Sequence, residues 1–124
     1  MSYTQNIGSL GERLACDYLK NKNYSIQETN YHSKFGEIDI IAKVKQEVDW
    51  LVFVEVKSRT NSNSQIFGHP EELVDNIKQG KITSTISHYL NKKNINPPNW
   101  RLDVIAIDIN PKTRKARIHH YENI

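Results

Sequence analysis

Apolar and polar positions change rhythm several times along the chain. From Asn6 to Asn23, NIGSLGERLACDYLKNKN places Ile7, Leu10, Leu14, Tyr18 and Leu19 at helical spacing. Thr4 or Asn6 is placed to cap this helix. Gly8, Gly11 and Ala15 fall on or beside its stripe, where small side chains let a helix approach a sheet closely, a reason to tolerate helix-weakening glycine. Tyr24 to Tyr31 fits a strand weakly. Glu37 to Val44 and Trp50 to Ser58 fit strands strongly, being rich in β-branched residues. The polar loop TNSNSQIFGHP follows, with Pro70 suited to the first turn of the next helix. That helix spans roughly residues 71–90 and carries Leu73, Val74, Ile77, Ile82, Ile86, Tyr89 and Leu90. After the loop NKKNINPPN, WRLDVIAIDIN is almost continuously apolar, as in a strand covered on both faces. Asn110 to Lys112 makes a turn, and TRKARIHHY is a last basic strand. Helix, three strands, helix and two strands predict an α/β domain with a mixed sheet and packed helices.

Strand alternation fixes the central hairpin. Ile38, Ile40, Ala42 and Val44 are expected on one face, and Trp50, Val52, Val54 and Val56 on the same face of the partner strand. Folding about Glu47 pairs Val44 with Trp50, Ala42 with Val52 and Ile40 with Val54. A slip of one residue would put the two apolar sets on opposite faces. The same register sets Asp39 opposite Glu55 and Glu37 opposite Lys57, with directly opposed Cβ atoms about 4.5–5.5 Å apart.

Length and composition narrow the possibilities. The 124 residues suffice for one domain, 1–124, with a modest core. A net charge of +3 permits nucleic-acid binding without requiring it. The single cysteine, Cys16, excludes an internal disulfide and a cysteine-cluster metal site and suits a reducing compartment. On a helix it reads as a small inert side chain. The N-terminus lacks a secretory pattern and no apolar run approaches membrane-spanning length, so a soluble cytoplasmic protein with no membrane partner is expected. The five histidines show no zinc-like arrangement, and His119 and His120 are expected on opposite strand faces.

Adjacent like charges destabilise a sheet, so the Asp39–Glu55 neighbourhood needs compensation. A hard divalent cation supplies it, because Mg²⁺ prefers carboxylate oxygens. Such an ion activates water, and a lysine beside it stabilises developing negative charge. Two carboxylates, a lysine and a divalent ion thus suit phosphodiester cleavage. The same residues also fit a solvated sheet face on which Lys57 and Lys43 neutralise the acids.

GEIDII followed by VFVEVKSR resembles the signature of the PD-(D/E)XK nuclease superfamily, with Asp39 as the first acid and Glu55-Val56-Lys57 as its E-x-K element. More narrowly, GERLACDYL, GEIDII, FVEVKSR, FGHP, KQGKI and RLDVIAI, in this order, resemble the YraN family of small bacterial proteins, relatives of archaeal Holliday-junction resolvases. Leu102 stands where that family often has phenylalanine, and the loop before Phe67 is slightly long; neither touches the site residues. The resemblance implies a restriction-endonuclease-like fold, with Asp39, Glu55 and the Val56 carbonyl binding Mg²⁺ or Mn²⁺ and Lys57 contacting the phosphate or the attacking water. Glu12 matches the helical glutamate of related resolvases and would complete the metal site. Its helix-border position also suits an acid in the first turn, favoured by the helix dipole.

The resemblance further implies branched DNA as substrate and a homodimer, since two strands must be cut. Competing readings are a non-catalytic nucleic-acid-binding module that keeps the fold, and a nuclease acting on RNA or free ends. Ser58 and Arg59 extend past the strand and are candidate phosphate contacts, or solvated surface. Lys78 and Lys81 lie near the centre of the second helix's stripe, with Gln79 at its flank; Lys78 and Gln79 are further candidates for the nucleic-acid face. Arg101 and Asp103 share one face of the apolar strand and predict an internal ion pair. Lys112, Arg114, Lys115 and Arg117 form the densest basic stretch: a solvated edge that resists strand pairing, or phosphate contacts through Arg114 and Lys115.

Overall fold

The computed structural model describes residues 3–46, 48–60, 81–95 and 99–124, with the side chains of residues 3–6 left aside. Among them are helix α1 (Tyr3–Asn21), strands β1 (Tyr24–Ser33), β2 (Gly36–Lys45) and β3 (Asp49–Thr60), helix α2 (Lys81–Lys92), and strands β4 (Trp100–Ile109) and β5 (Ala116–Tyr121). The sheet order is β1-β2-β3-β4-β5. β3 and β4 are parallel and the other neighbours antiparallel, so the sheet is mixed. Among the described residues one helix packs on each face, giving the restriction-endonuclease-like α/β arrangement.

Two apolar clusters hold the layers together. Ala15 and Leu19 of α1 pack with Ile40, Ala42, Val44, Val52, Val54, Ile105, Ile107 and Ile109. Ile82, Ile86, Tyr89 and Leu90 of α2 pack with Tyr31, Ile38, Ile41, Phe53 and Leu102. β4 serves both faces, and residues Arg101 to Ile109 are buried in succession, as its unbroken apolar run requires. Each large aliphatic side chain so buried contributes about 1.5–3 kcal/mol relative to exposure.

Element boundaries differ from expectation at informative places. α1 starts at Tyr3, so neither Thr4 nor Asn6 stands at its start. Its end follows chemistry: Asn23 adopts φ 70°, in the left-handed region tolerated by asparagine, and its N–H bonds the Lys20 carbonyl. Gly8 is exposed with open space around it, so only Gly11 and Ala15 serve close packing. A Cβ on Gly11 would fall on the Ser58 hydroxyl and within 2.7 Å of the Ser58 Cβ. This contact seats α1 directly on β3. Lys81 is exposed rather than central to the apolar stripe of α2. The segment holding Lys78 and Gln79 lies outside the described residues.

The central hairpin has the expected register from Val44↔Trp50 through Ala42↔Val52 to Ile40↔Val54, where the ladder stops. The expected pairs Asp39–Glu55 and Glu37–Lys57 are therefore not rungs of it. Ile38 packs under α2 while Ile40 packs under α1, so the alternation expected from Ile38 to Val44 breaks at Asp39. β3 continues alone against β4 to Thr60↔Ile109. Ser58 and Arg59 accordingly lie within the strand, not beyond it.

Candidate metal centre

Where β2 leaves β3, the Val56 N–H loses its strand partner. The Asp39 carboxylate replaces it, Oδ2 accepting from Val56 N at 2.7 Å. A side chain thus closes the gap that the ended ladder opens, which satisfies a backbone donor and fixes the carboxylate beside the Glu55-Val56-Lys57 segment. The regular β3–β4 ladder keeps alternation intact, so Glu55 and Lys57 face the α2 side with Phe53 while Val56 faces α1.

The electrostatics of this place are unfavourable to ionised acids. Burial, then the neighbouring Asp39, push the Glu55 carboxyl up to about 7, against relief from Lys57. Asp39 is also raised, chiefly by burial, although the Val56 hydrogen bond and Lys57 oppose the rise. Glu12 and Glu37 act on both in the raising direction. Among the described residues, Asp39 and Glu55 thus feel two further carboxylates, Glu12 and Glu37, against the Lys57 ammonium, an excess of negative charge that suits a cation.

Of the two lysines expected to neutralise the acids, Lys57 acts on both Asp39 and Glu55, whereas Lys43 is engaged elsewhere. Glu37 pairs with His32 across the β1–β2 hairpin at 3.5 Å. Lys43 pairs with Asp49 at 3.3 Å. The solvated-face reading needed Lys43 and Lys57 to balance Asp39 and Glu55; Lys43 is turned to Asp49, and Lys57 alone of the two acts on the acids. Glu12 is half-buried, and α1 has no acid in its first turn. With the helix beginning at Tyr3, Glu12 stands in its third turn, too far along for stabilisation by the helix N-terminus, which fades within one turn. Close seating of the adjacent Gly11 on Ser58 brings α1 down on β3, and Glu12 lies within electrostatic range of Asp39. Ser58 itself lies at the helix–sheet seam.

The remaining candidates divide by position. Arg59, Asp108 and Arg117 occupy one cross-strand row, and Asp108 is only 5% exposed. Arg114 and Lys115 lie in the β4–β5 turn, not in the strand expected from residue 113 onward. Asn110 builds that turn: its Oδ1 accepts from the Lys112 and Thr113 N–H groups, and its carbonyl from Arg114 N–H. Arg114 adopts φ 60°. The exposed side chains of Lys112, Arg114 and Lys115 project at the sheet end where β3 finishes, the end that also holds Glu55 and Lys57.

A second charged cluster lies on the α1 face. Arg101 Nε donates to Asp103 Oδ1 at 3.0 Å, the expected internal pair. Sequence reasoning missed its other members. His120 Nε2 lies 2.7 Å from Asp103 Oδ2, Arg101 Nη2 donates to Glu122 Oε1 at 2.8 Å and to the Tyr24 hydroxyl at 2.6 Å, and Asn123 N–H donates to Asp103 Oδ1 at 3.0 Å. The Ile105↔His120 pairing was the available signal, since it sets His120 beside Asp103 on one face. Asp103, His120 and Glu122 bring metal-ligand types close together among the described residues. The guanidinium between the carboxylates already supplies positive charge. Burial would raise the Asp103 carboxyl, but His120, the Asn123 N–H and Arg101 outweigh it and hold it below its usual value.

Comparison with known proteins settles the kinship. The profile described as "Uncharacterised protein family UPF0102" matches residues 11–107. The chain belongs to the UPF0102 family. It is 42% identical to a UPF0102 protein of Alkaliphilus oremlandii over 96% of this chain and 97% of the relative. It is 41% identical to one of Caldanaerobacter subterraneus subsp. tengcongensis, over 96% of this chain and 93% of the relative. A Clostridioides difficile member is 44% identical over 94% of this chain and 93% of its own. Among described residues, no helix of this UPF0102 chain is long and apolar enough to cross a membrane.

Proposed function

We propose that this UPF0102 protein is a metal-dependent endonuclease of the PD-(D/E)XK kind, hydrolysing phosphodiester bonds in DNA, with branched DNA as its substrate. The observation carrying the reading is the hydrogen bond from Val56 N–H to Asp39 at the end of the β2–β3 ladder. It holds one acid beside the strand bearing Glu55 and Lys57, within electrostatic range of Glu12. Asp39, Glu55, the Val56 carbonyl and Glu12 supply oxygen donors, which suit Mg²⁺ or Mn²⁺. The excess of carboxylates over cations among the described residues fits such an ion, which would supply Lewis acidity and charge neutralisation at a phosphate.

The chain's own residues divide the remaining work. Asp39 is oriented by the backbone. Glu55 sheds its proton near neutrality, and its ionised form is the one available to a cation. Lys57 places an ammonium where a phosphate's negative charge would develop. Lys112, Arg114 and Lys115 would meet flanking phosphates at the same sheet end. A homodimer would present two such sites to two strands.

A panel of linear, flapped and four-way DNA incubated with Mg²⁺ or Mn²⁺ tests the reading. Wild type is expected to cut, with preference for the branched forms. Lys57→Ala and Glu55→Gln are expected to abolish turnover while DNA binding survives. Binding without cleavage by wild type would leave a non-catalytic nucleic-acid module. Equal cleavage by wild type and Glu55→Gln would remove the assigned site.

A further inference from the structure

Phe35 presents a large apolar ring to solvent, 41% exposed, in the β1–β2 turn. Single exposed apolar residues are ordinary; this one borders an open pocket of about 570 Å³ against the outer face of α2. His88 stands across from it, ring centroids 5.7 Å apart, and is held by the Tyr31 hydroxyl at 2.8 Å from Nδ1. Thr83, Ser84, Ser87 and Asn91 give the pocket hydroxyl and amide groups, and Lys92 edges it. The Lys34 ammonium lies 5.2 Å from the centre of the Phe35 ring. Gly36 shapes the turn with φ 146°, which a side chain would strain.

Position gives this pocket its meaning. The β2–β3 ladder ends at Ile40↔Val54, and the β1–β2 turn lies beyond that end. Phe35 therefore sits at the sheet end that carries Asp39, Glu55 and Lys57, four residues from Asp39, roughly 13 Å along an extended strand. Val48 and Trp100, the other exposed large apolar side chains among the described residues, occupy the opposite end. We infer that the Phe35–His88 pocket receives an unpaired nucleotide of a bound nucleic acid, its base stacked on Phe35 and its edge bonded to the polar groups of α2. An aromatic ring serves any base, because every base has a π-face, and the adjacent lysines match the phosphates. On binding, the base takes the place of the Lys34 ammonium over the ring, leaving Lys34 for the nucleotide's phosphate. This deepens the nuclease reading, on which it rests for the presence of nucleic acid at this sheet end. It gives a physical basis for favouring flapped or single-stranded DNA over continuous duplex, since a stacked duplex offers no free base.

Binding in chelator separates this inference from catalysis. A labelled oligothymidylate and a blunt duplex of equal length are titrated with wild type, Phe35→Ala and Phe35→Tyr. Phe35→Ala is expected to weaken oligothymidylate binding about tenfold and duplex binding less than twofold, while Phe35→Tyr stays close to wild type. A 2-aminopurine in the single strand should be quenched by wild type and not by Phe35→Ala. Equal affinities of wild type and Phe35→Ala for the single strand, equal weakening on both DNAs, or no single-strand binding by wild type would each overturn the inference. Failure of the nuclease reading shows elsewhere: no metal-dependent cleavage of any DNA by wild type, whatever the Phe35 result.

Discussion

Two carboxylate clusters among the described residues, one centred on β4 and one between β2 and β3, have opposite electrostatics. On β4, Asp103 is fully buried and surrounded by donors: Arg101, His120 and a backbone N–H. Its carboxyl is held low. Near β3, Asp39 and Glu55 lie among Glu12 and Glu37 with Lys57 as relief, and both carboxyls are raised. The first cluster is complete as folded. Among the described residues, the second leaves negative charge in excess, which a bound cation would offset. Carboxylate number and burial do not separate a functional site from an internal ion network; the provision of counter-charge does.

The largest expected effect comes from unbalancing the complete cluster. Arg101→Met leaves Asp103 buried without its main cation and should destabilise the fold by about 3–5 kcal/mol, read from urea unfolding. A loss under about 1 kcal/mol would mean that His120 and the backbone suffice and that the contrast is overstated.

The incomplete cluster should respond in the other direction. Glu55 has a folded pKa of about 7 against an ordinary value of 4.5. The unfolded chain gives up this proton first, so between about pH 4.5 and 7 the native state holds more protons and its stability falls as pH rises. Above that range the full penalty, roughly 1–3 kcal/mol, persists. Glu55→Gln should remove this slope and be the more stable protein in chelator at about pH 8, with little difference at about pH 4. Paired melts across that range decide, and parallel profiles for the two proteins would refute the raised carboxyl.

Asp39→Asn should act more mildly. Its amide oxygen can still accept from Val56 N–H while one negative charge disappears. Apo stability should stay level or rise by roughly 0.5–2 kcal/mol. Mg²⁺ should stabilise wild type by mass action and the variant much less. A variant that melts clearly lower in chelator would instead give Asp39 a structural role.

The hairpin was readable from parity, because Val44, Ala42 and Ile40 meet Trp50, Val52 and Val54 in one register that buries both sets. Parity could not show where the ladder ends. That depends on a side chain, Asp39, outcompeting a backbone carbonyl for the Val56 N–H, and periodicity carries no signal of it. Glu12 was legible as a helix-border residue, yet its electrostatic reach to Asp39 depends on how closely Gly11 seats α1 on Ser58. The Asp103 cluster was half legible: Arg101 and Asp103 share a strand, whereas His120 and Glu122 arrive through the β4–β5 pairing. Arg114 and Lys115 read as strand because basic residues carry no turn signature; Asn110, with both oxygens accepting from the turn, extends it beyond Lys112.

A smaller effect concerns the basic turn. Replacing Arg114 and Lys115 with glutamine should flatten the dependence of log affinity on log salt, by about 0.9 for each duplex phosphate the turn no longer neutralises. An unchanged slope would return these residues to solvated turn positions.

The most direct test of the contrast is to count and locate bound Mn²⁺. Titration followed by electron paramagnetic resonance at about pH 8, where Glu55 is ionised, should reveal a site in wild type that Asp39→Asn and Glu55→Gln lose and Glu122→Gln keeps. Binding that survives Asp39→Asn but disappears in Glu122→Gln would place the ion with Asp103 and His120, contradicting the assignment of the uncompensated carboxylates as the metal centre.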